Sequence, residues 1–477
     1  MFFTNEILIE FVESNFISFY IDYESPKYVK LRKHFSVEGI PNLVFVDENG
    51  KIIDRIVGYG PPPRQYLNKI ANVIGKKFSE EEVENAFYRE IPKDTASRYN
   101  YAKELYERSQ FEDALNIFET ILDIKIDDAN KEVWKYIYLA ECYSIVNYPE
   151  KAIETYENAI NKGVINEIKD KALVFSNLGQ LYFRNNQFEK AINYIEMLPE
   201  GEHIEKINES SIQFSVMSAK QLLPFCYGKI GQLEKGKQLY ETYCRTEAEK
   251  KYHMSILFIN QYCSEHKLYL KEALFWEKEA LNILENHIKE EKLKLSNKTT
   301  EEERKEIERM IKGLEGNNYG LLITSYATIA GFNEKYDLAI NLWEKLKEIS
   351  DRRNTQSTAD VSITALLLKS GKTNEGKRKF QELLTEAGND PEKLSKLVWA
   401  CNRYDTNLKE ALQWVKRAVD LASEDNRAEN LNLYLYANLL FKNGKIEEAI
   451  RVGTEAYEKF PNYQLKNDLE KFKAALK

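Results

Sequence analysis

Two stretches of the chain carry one pattern: Phe111-Glu-Asp-Ala114-Leu-Asn-Ile-Phe118, and Lys151-Ala152-Ile-Glu-Thr-Tyr156-Glu-Asn-Ala159. A small residue is followed four positions on by an aromatic, with a small or apolar residue at seven. Positions so spaced lie on one face of a helix. The pattern returns around Ala191, Gly236, Ala273, Ala339, Gly376, Ala411 and Ala449. These anchors are 38, 39, 45, 37, 66, 37, 35 and 38 residues apart. Twelve residues before several of them stand Ala102, Ala140, Gly179, Ala327 and Ala437, each preceded by a large residue: Tyr101, Leu139, Leu178, Tyr326 and Tyr436. Two helices with small residues at matching positions can cross closely, with the large residues filling the gaps beside the crossing. Recurrence at a nearly fixed period then predicts a stack of helical hairpins, each packed on its neighbours.

Three of these units are specific enough to resemble a known family. Leu178-Gly179-Gln-Leu-Tyr182 with Ala191, Leu139-Ala140-Glu-Cys-Tyr143 with Ala152, and Ala437, Asn443-Gly444-Lys445, Ala449, Ala456 and Pro461 are similar to the tetratricopeptide repeat (TPR). The resemblance covers about residues 95–465, with most intervals slightly longer than the family's period of about 34. It implies a mainly α fold, a TPR-type α-solenoid of about nine repeats, whose concave groove takes protein or peptide ligands. Groove positions in that family come mainly from the first helix of each unit. By register these are Trp134, Ile137, Glu141, Ser176, Gln180, Phe183, Tyr434, Asn438 and Phe441. The Lys and Asn pairs with which chaperone-binding members clamp a C-terminal carboxylate are not at these positions. Pro224 falls where the fourth repeat needs its small residue, so that helix is expected to kink or start late. Gln261 holds the same position in the fifth repeat, a weak match. The 66-residue interval contains a charged stretch over residues 285–312, read as a solvated pair of extended helices with a capping box at Thr300 and Glu303.

Composition agrees with helix. Only 20 Gly and 11 Pro occur in 477 residues, too few for a sandwich or barrel with many tight turns. The net charge of −8, with no basic stripe interleaved with aromatics, argues against nucleic acid as a partner. No apolar run reaches the ~18 residues of a membrane span. Five cysteines are scattered without a Cys-x-x-Cys, and the five histidines form no His-Glu-x-x-His or Ser/His/Asp set. No catalytic, cofactor or metal site is therefore expected, and the cysteines read as packing residues.

The first eighty residues have another rhythm. Asn5–Asn15 and Lys27–Phe35 read as helices, Phe16–Ile21 as a strand, Asn42–Val46 and Ile52–Val57 as a hairpin across Asp47-Glu-Asn-Gly50, and Pro63–Ile74 as a last helix. Val37-Glu-Gly39-Ile40-Pro41-Asn42, Phe45-Val-Asp47-Glu-Asn-Gly50-Lys51 and Gly58-Tyr59-Gly60 resemble the thioredoxin fold, and Phe3–Phe16 resembles the first helix of secreted bacterial thioredoxin-like proteins. The resemblance makes Pro41 the family's cis-proline and Ile40 the residue that contacts a substrate strand. It also implies that residues 1–78 form a small α/β, incomplete thioredoxin-like domain lacking the first strand and the Cys-x-x-Cys. Residues 79–94 follow as a linker, and 95–477 as the TPR-like repeats. A start internal to a longer gene, a degenerate domain, and a slot filled by another chain all account for the missing strand.

Two functions stay open on these readings. One is a protein–protein interaction scaffold with a redox-inactive thioredoxin-like domain. The other is a thiol–disulfide oxidoreductase whose Cys-x-x-Cys lies upstream of the residues given. The first places the protein in the cytoplasm; a signal peptide upstream would place it in the periplasm.

Overall fold

Short polar side chains set where five of the described helices begin. The computed structural model describes residues 6–19, 21, 26–35, 37, 42–57, 63–78, 92–199, 207, 209–297, 300–350, 353–421 and 426–476. Asp94, Asp128, Asp390 and Asn462 each accept a backbone N–H from the first turn that follows, satisfying donors that a helix start leaves unpaired. Thr300 does the same for Glu303 and bonds its carboxylate at 2.7 Å, the capping box read from the sequence. The chain divides into two compact units, Met1–Val174 and Phe175–Lys477.

The first unit opens with helix Glu6–Asn15, a 3-10 turn Pro26–Tyr28 running into helix Val29–His34, strands β1 (Asn42–Val46) and β2 (Ile52–Val57), and helix Pro63–Val73. The strands pair antiparallel, Asn42 opposite Val57 and Val46 opposite Ile52. Asp47 closes their turn by accepting the N–H groups of Asn49 and Lys51 at 2.9 and 2.8 Å. Ile56, Leu67 and Ile70 form a small core with Phe11, Phe16 and Phe45 against it. The strand expected over Phe16–Ile21 does not form. Residues 16–19 are irregular, Phe16 N–H closes one more helical turn onto Val12, and Ile17 and Phe19 are 87% and 84% exposed. A strand gains its stability from a ladder partner, and among the described residues β1 pairs with β2 alone. Ile40, Pro41, the Gly58-Tyr59-Gly60 turn and most of the expected linker (79–91) lie outside the described residues.

Helical hairpins follow. In the first unit they are Thr95–Glu107 with Phe111–Ile121, and Ala129–Ile145 with Pro149–Asn161. Their join is stiffened by a buried ion pair that periodicity cannot reveal. Lys135, fully enclosed, donates to Glu132 and to the Ile124 carbonyl, while Glu132 accepts the Ile126 N–H. In the second unit the pairs are residues 175–184 of helix Ile168–Arg184 with Phe188–Glu196, Leu223–Lys229 with Leu233–Glu249, His253–His266 with Leu270–Asn297, Tyr319–Phe332 with Tyr336–Ile349, Arg353–Lys369 with Thr373–Ala387, Pro391–Tyr404 with Leu408–Leu421, and Asn426–Lys442 with Ile446–Lys459, before a last helix Tyr463–Ala475. One turn geometry recurs through them. A single residue takes a left-handed conformation (Ser109, Asn147, Asn186, Gly231, Glu334, Gly444), and the next N–H bonds back five residues, as Gln110 does to Leu105 and Lys445 to Leu440. Pro224 interrupts its helix: Ser210–Lys220 ends, and Leu223–Lys229 begins with the proline in its first turn, where no N–H is needed. The charged stretch lengthens two neighbouring helices. Leu270–Asn297 runs on, Glu301–Gly313 returns beside it, and a π-helical turn over Leu314–Asn318 leads into Tyr319. Ile288, Ile307, Ile311 and Leu314 are buried in this extension.

The small anchor residues sit where the helices cross. Ala114 and Ala152 in the first unit, and Ala191, Ala273, Ala339, Ala411 and Ala449 in the second, have no exposed surface. The tightest crossing is at Gly236, where an added Cβ would overlap the Pro224 carbonyl oxygen and the Tyr269 hydroxyl, two atoms already bonded to each other at 2.8 Å. Backbone cannot yield as a side-chain tip can, so Gly236→Ala is expected to destabilise by at least about 1–3 kcal/mol. Gly320 is also helical, but its Cβ would make only ordinary contact with Leu346 at 3.7 Å. Gly320→Ala should be neutral or gain up to about 1 kcal/mol. Urea midpoints of the two variants check both statements, and equal midpoints would contradict them.

Candidate peptide-binding face

The sequence-predicted groove residues divide by exposure. In the first unit Ile137 is fully buried and packs in the core, whereas Trp134 and Glu141 are partly exposed. The Trp134 ring lies 5.3 Å from that of Tyr138, and Glu141 accepts the Tyr106 hydroxyl. In the second unit Ser176 is fully buried, 2.8 Å from the Ser215 hydroxyl, and Phe183 is buried among aromatics. Gln180, Tyr434, Asn438 and Phe441 are partly exposed. Asn438 bonds Asp468 at 3.4 Å, and Phe441 stacks on Phe472 at 4.6 Å.

Within the second unit, side chains at the C-terminal ends of the first helices gather, and most of them were not singled out from the sequence. Phe183 touches Tyr262 and His266, with ring centroids 6.2 and 5.1 Å away, and Phe225 packs on the same pair. Lys229 donates to the His266 carbonyl at 3.4 Å. The last helix reaches the first: Asn467 donates to the Arg184 carbonyl at 2.9 Å, and Lys471 acts on Lys229 through its charge. Further along, Lys267 lies over the Phe332 ring, Phe332 meets Tyr404 at 5.9 Å, and Arg403 stacks on Trp399 with its Cζ 3.4 Å from the ring centre. The signal that could have found the cations among these residues is the basic side chain in the last turn of several first helices: Arg184, Lys229, Lys369, Arg403 and Lys442.

Several of these groups combine exposed surface with the pKa shifts of an enclosed place. Burial lowers His266 to about 4 and Lys267 to about 7, and it raises the Glu265 carboxyl. Glu265 and Lys267 nevertheless expose much of their side chains.

No protein-family model matches the chain, and no curated protein does so. Solved structures similar to it include yeast Tom70 (15% identity, 80% of this chain and 88% of that one, TM-score 0.28), the TPR domain of P58(IPK) (12%, 80% and 98%, 0.22), and the apo form of the quorum sensor NprR from B. thuringiensis (12%, 75% and 93%, 0.36). The described residues form a helical-repeat fold of stacked helix hairpins. Among the described residues no helix is long and apolar enough to cross a membrane.

The most strongly perturbed carboxyl of the second unit belongs to the core instead. Glu277 is fully enclosed; Ser325 donates to it, and Asn260, which accepts the Tyr240 hydroxyl, lies beside it. Burial raises its pKa from 4.5 to about 8, outweighing the hydrogen bonds that favour the charge. The folded chain therefore keeps a proton that the unfolded chain releases, and stability should fall as pH rises from 4.5 to about 8. Glu277→Gln keeps the shape and removes the titration. The urea midpoint of the variant, relative to the wild type, should climb between pH 5 and pH 8. A difference that does not change with pH would refute this account of Glu277.

Proposed function

We propose that the chain is a protein-interaction scaffold that holds an extended partner segment along the first-helix faces of its repeats. The observation that carries this reading is the gathering of aromatic, amide and charged groups on those helices of the second unit. Tyr262, His266, Trp399, Tyr434, Asn438 and Phe441 keep partial exposure amid dense packing. Trp134 and Glu141 offer a similar pair in the first unit. Aromatic rings supply contact area at low entropic cost, and amides pair with a peptide backbone. Selection of a random 12-residue peptide library on the full chain should enrich a family of sequences. Trp399→Ala or Phe441→Ala should weaken their binding by about tenfold, with far-ultraviolet circular dichroism unchanged. Enriched peptides that bind both variants as well as the wild type would place the interaction elsewhere.

For residues 1–78 we propose a thioredoxin-like domain without dithiol chemistry, joined through residues 79–94 to the repeats of 95–477. The order of helix, helix, hairpin and helix supports this, as does the Asp47 turn. The competing oxidoreductase reading needs a low-pKa thiolate. No cysteine lies within residues 1–80. All five cysteines are buried, and burial pushes the thiols of Cys142, Cys226 and Cys401 up to about 12, and those of Cys244 and Cys263 up as well. The chain should give no turnover in an insulin reduction assay. Turnover abolished by replacing any one of the five cysteines would refute this expectation.

A further inference from the structure

Cations in the last turn of a helix ordinarily cap its free carbonyls. Three in the second unit do this for a neighbouring helix end. Lys229 donates to the His266 carbonyl, Lys369 to that of Asp405 at 3.3 Å, and Lys442 to that of Asn402 at 2.6 Å. Lys442 is also neutralised, with its ammonium 2.6 Å from the Asp405 carboxylate. Lys267 and Arg403 are placed otherwise. Among the described residues neither forms an ion pair nor donates to a carbonyl. Lys267 has the Phe332 ring beneath it; Arg403 has Trp399 beneath it, donates to the Thr328 hydroxyl at 3.3 Å, one turn before Phe332 on the same helix, and also meets the Tyr404 hydroxyl.

We propose that Lys267 and Arg403 form an anion site that receives an acidic side chain of the bound peptide segment. This rests on the scaffold reading. A guanidinium carries five donors, more than Thr328 and Tyr404 engage on Arg403. Arg403 and Lys442 act on Lys267 as like charges, opposed by Asp405. That carboxylate is already shared with Lys442, so the cluster of three cations carries a surplus of positive charge. A carboxylate entering there relieves the repulsion between Lys267 and Arg403. The rings of Phe332 and Trp399 give apolar neighbours of the acidic residue a surface to lie on. Such a mixture fits a peptide in which Asp or Glu is flanked by apolar residues better than it fits a small, fully hydrated anion.

The probe is the random 12-residue library, selected on the full chain and on Lys267→Met and Arg403→Gln. Met keeps the aliphatic stem over Phe332, and Gln retains a donor towards Thr328. Wild-type selections should share an Asp or Glu beside apolar residues, and changing that acid to its amide should weaken binding about tenfold. Both variants should still bind the peptides, more weakly, and should no longer distinguish acid from amide. Enriched peptides with no shared acid would overturn the proposal and leave the scaffold reading intact. So would an acid whose loss costs the variants as much as the wild type. A library with no enrichment would overturn both. Inorganic phosphate supplies the last arm. If it stabilises the wild type at millimolar concentration and not Arg403→Gln, while selected peptides carry no acid, the site serves a free anion and the peptide assignment is wrong.

Discussion

Close approach of paired helices at small side chains is the constraint on which the rest of this structure depends. At each crossing an alanine or glycine brings two backbones near enough for the large residues on either side to interlock. In the second unit Ala339, Trp343 and Leu346 from one helix meet Ala327 and Ile323 from another in a continuous apolar core. Packing of this kind is short-ranged in sequence, because each hairpin meets chiefly the ones before and after it. The one-residue left-handed turns between helices serve the same end, since they fix the angle at which the second helix returns.

Where that logic operates, the chain was legible. The anchors read from composition at helical spacing are the buried crossing residues. Pro224 breaks its helix for the reason its chemistry gives, the absent N–H, and Thr300 caps as its spacing with Glu303 predicted. Where partners are distant in sequence, reading failed. Phe16–Ile21 has the β-branched and aromatic content of a strand, yet composition cannot supply the neighbouring backbone that a strand must pair with, and its apolar side chains Ile17 and Phe19 face water. Lys135 and Glu132 look like one more exposed pair on a charged helix, and they are enclosed.

The candidate face divides in the same way. Helical register places a residue on a side of its own helix, and Trp134, Glu141, Gln180, Tyr434, Asn438 and Phe441 keep partial exposure there. It could not tell that Ile137 and Ser176 are covered by neighbouring elements. Nor could it find Lys267 and Arg403, separated by more than a hundred residues, because their proximity arises from the path of the helices between them.

The sequence by itself determined the helical class, the period of the repeat, the crossing residues and the helix start at Thr300. Those properties are set by interactions within one hairpin, whose residues are neighbours in the chain. Tertiary structure alone decided which helix ends meet, which cations lose their counter-charge and which polar groups are desolvated. Glu277 illustrates the difference: in the sequence it is an ordinary glutamate on a charged helix. Its titration is governed by burial, which raises the pKa, against the hydrogen bond from Ser325, forty-eight residues away.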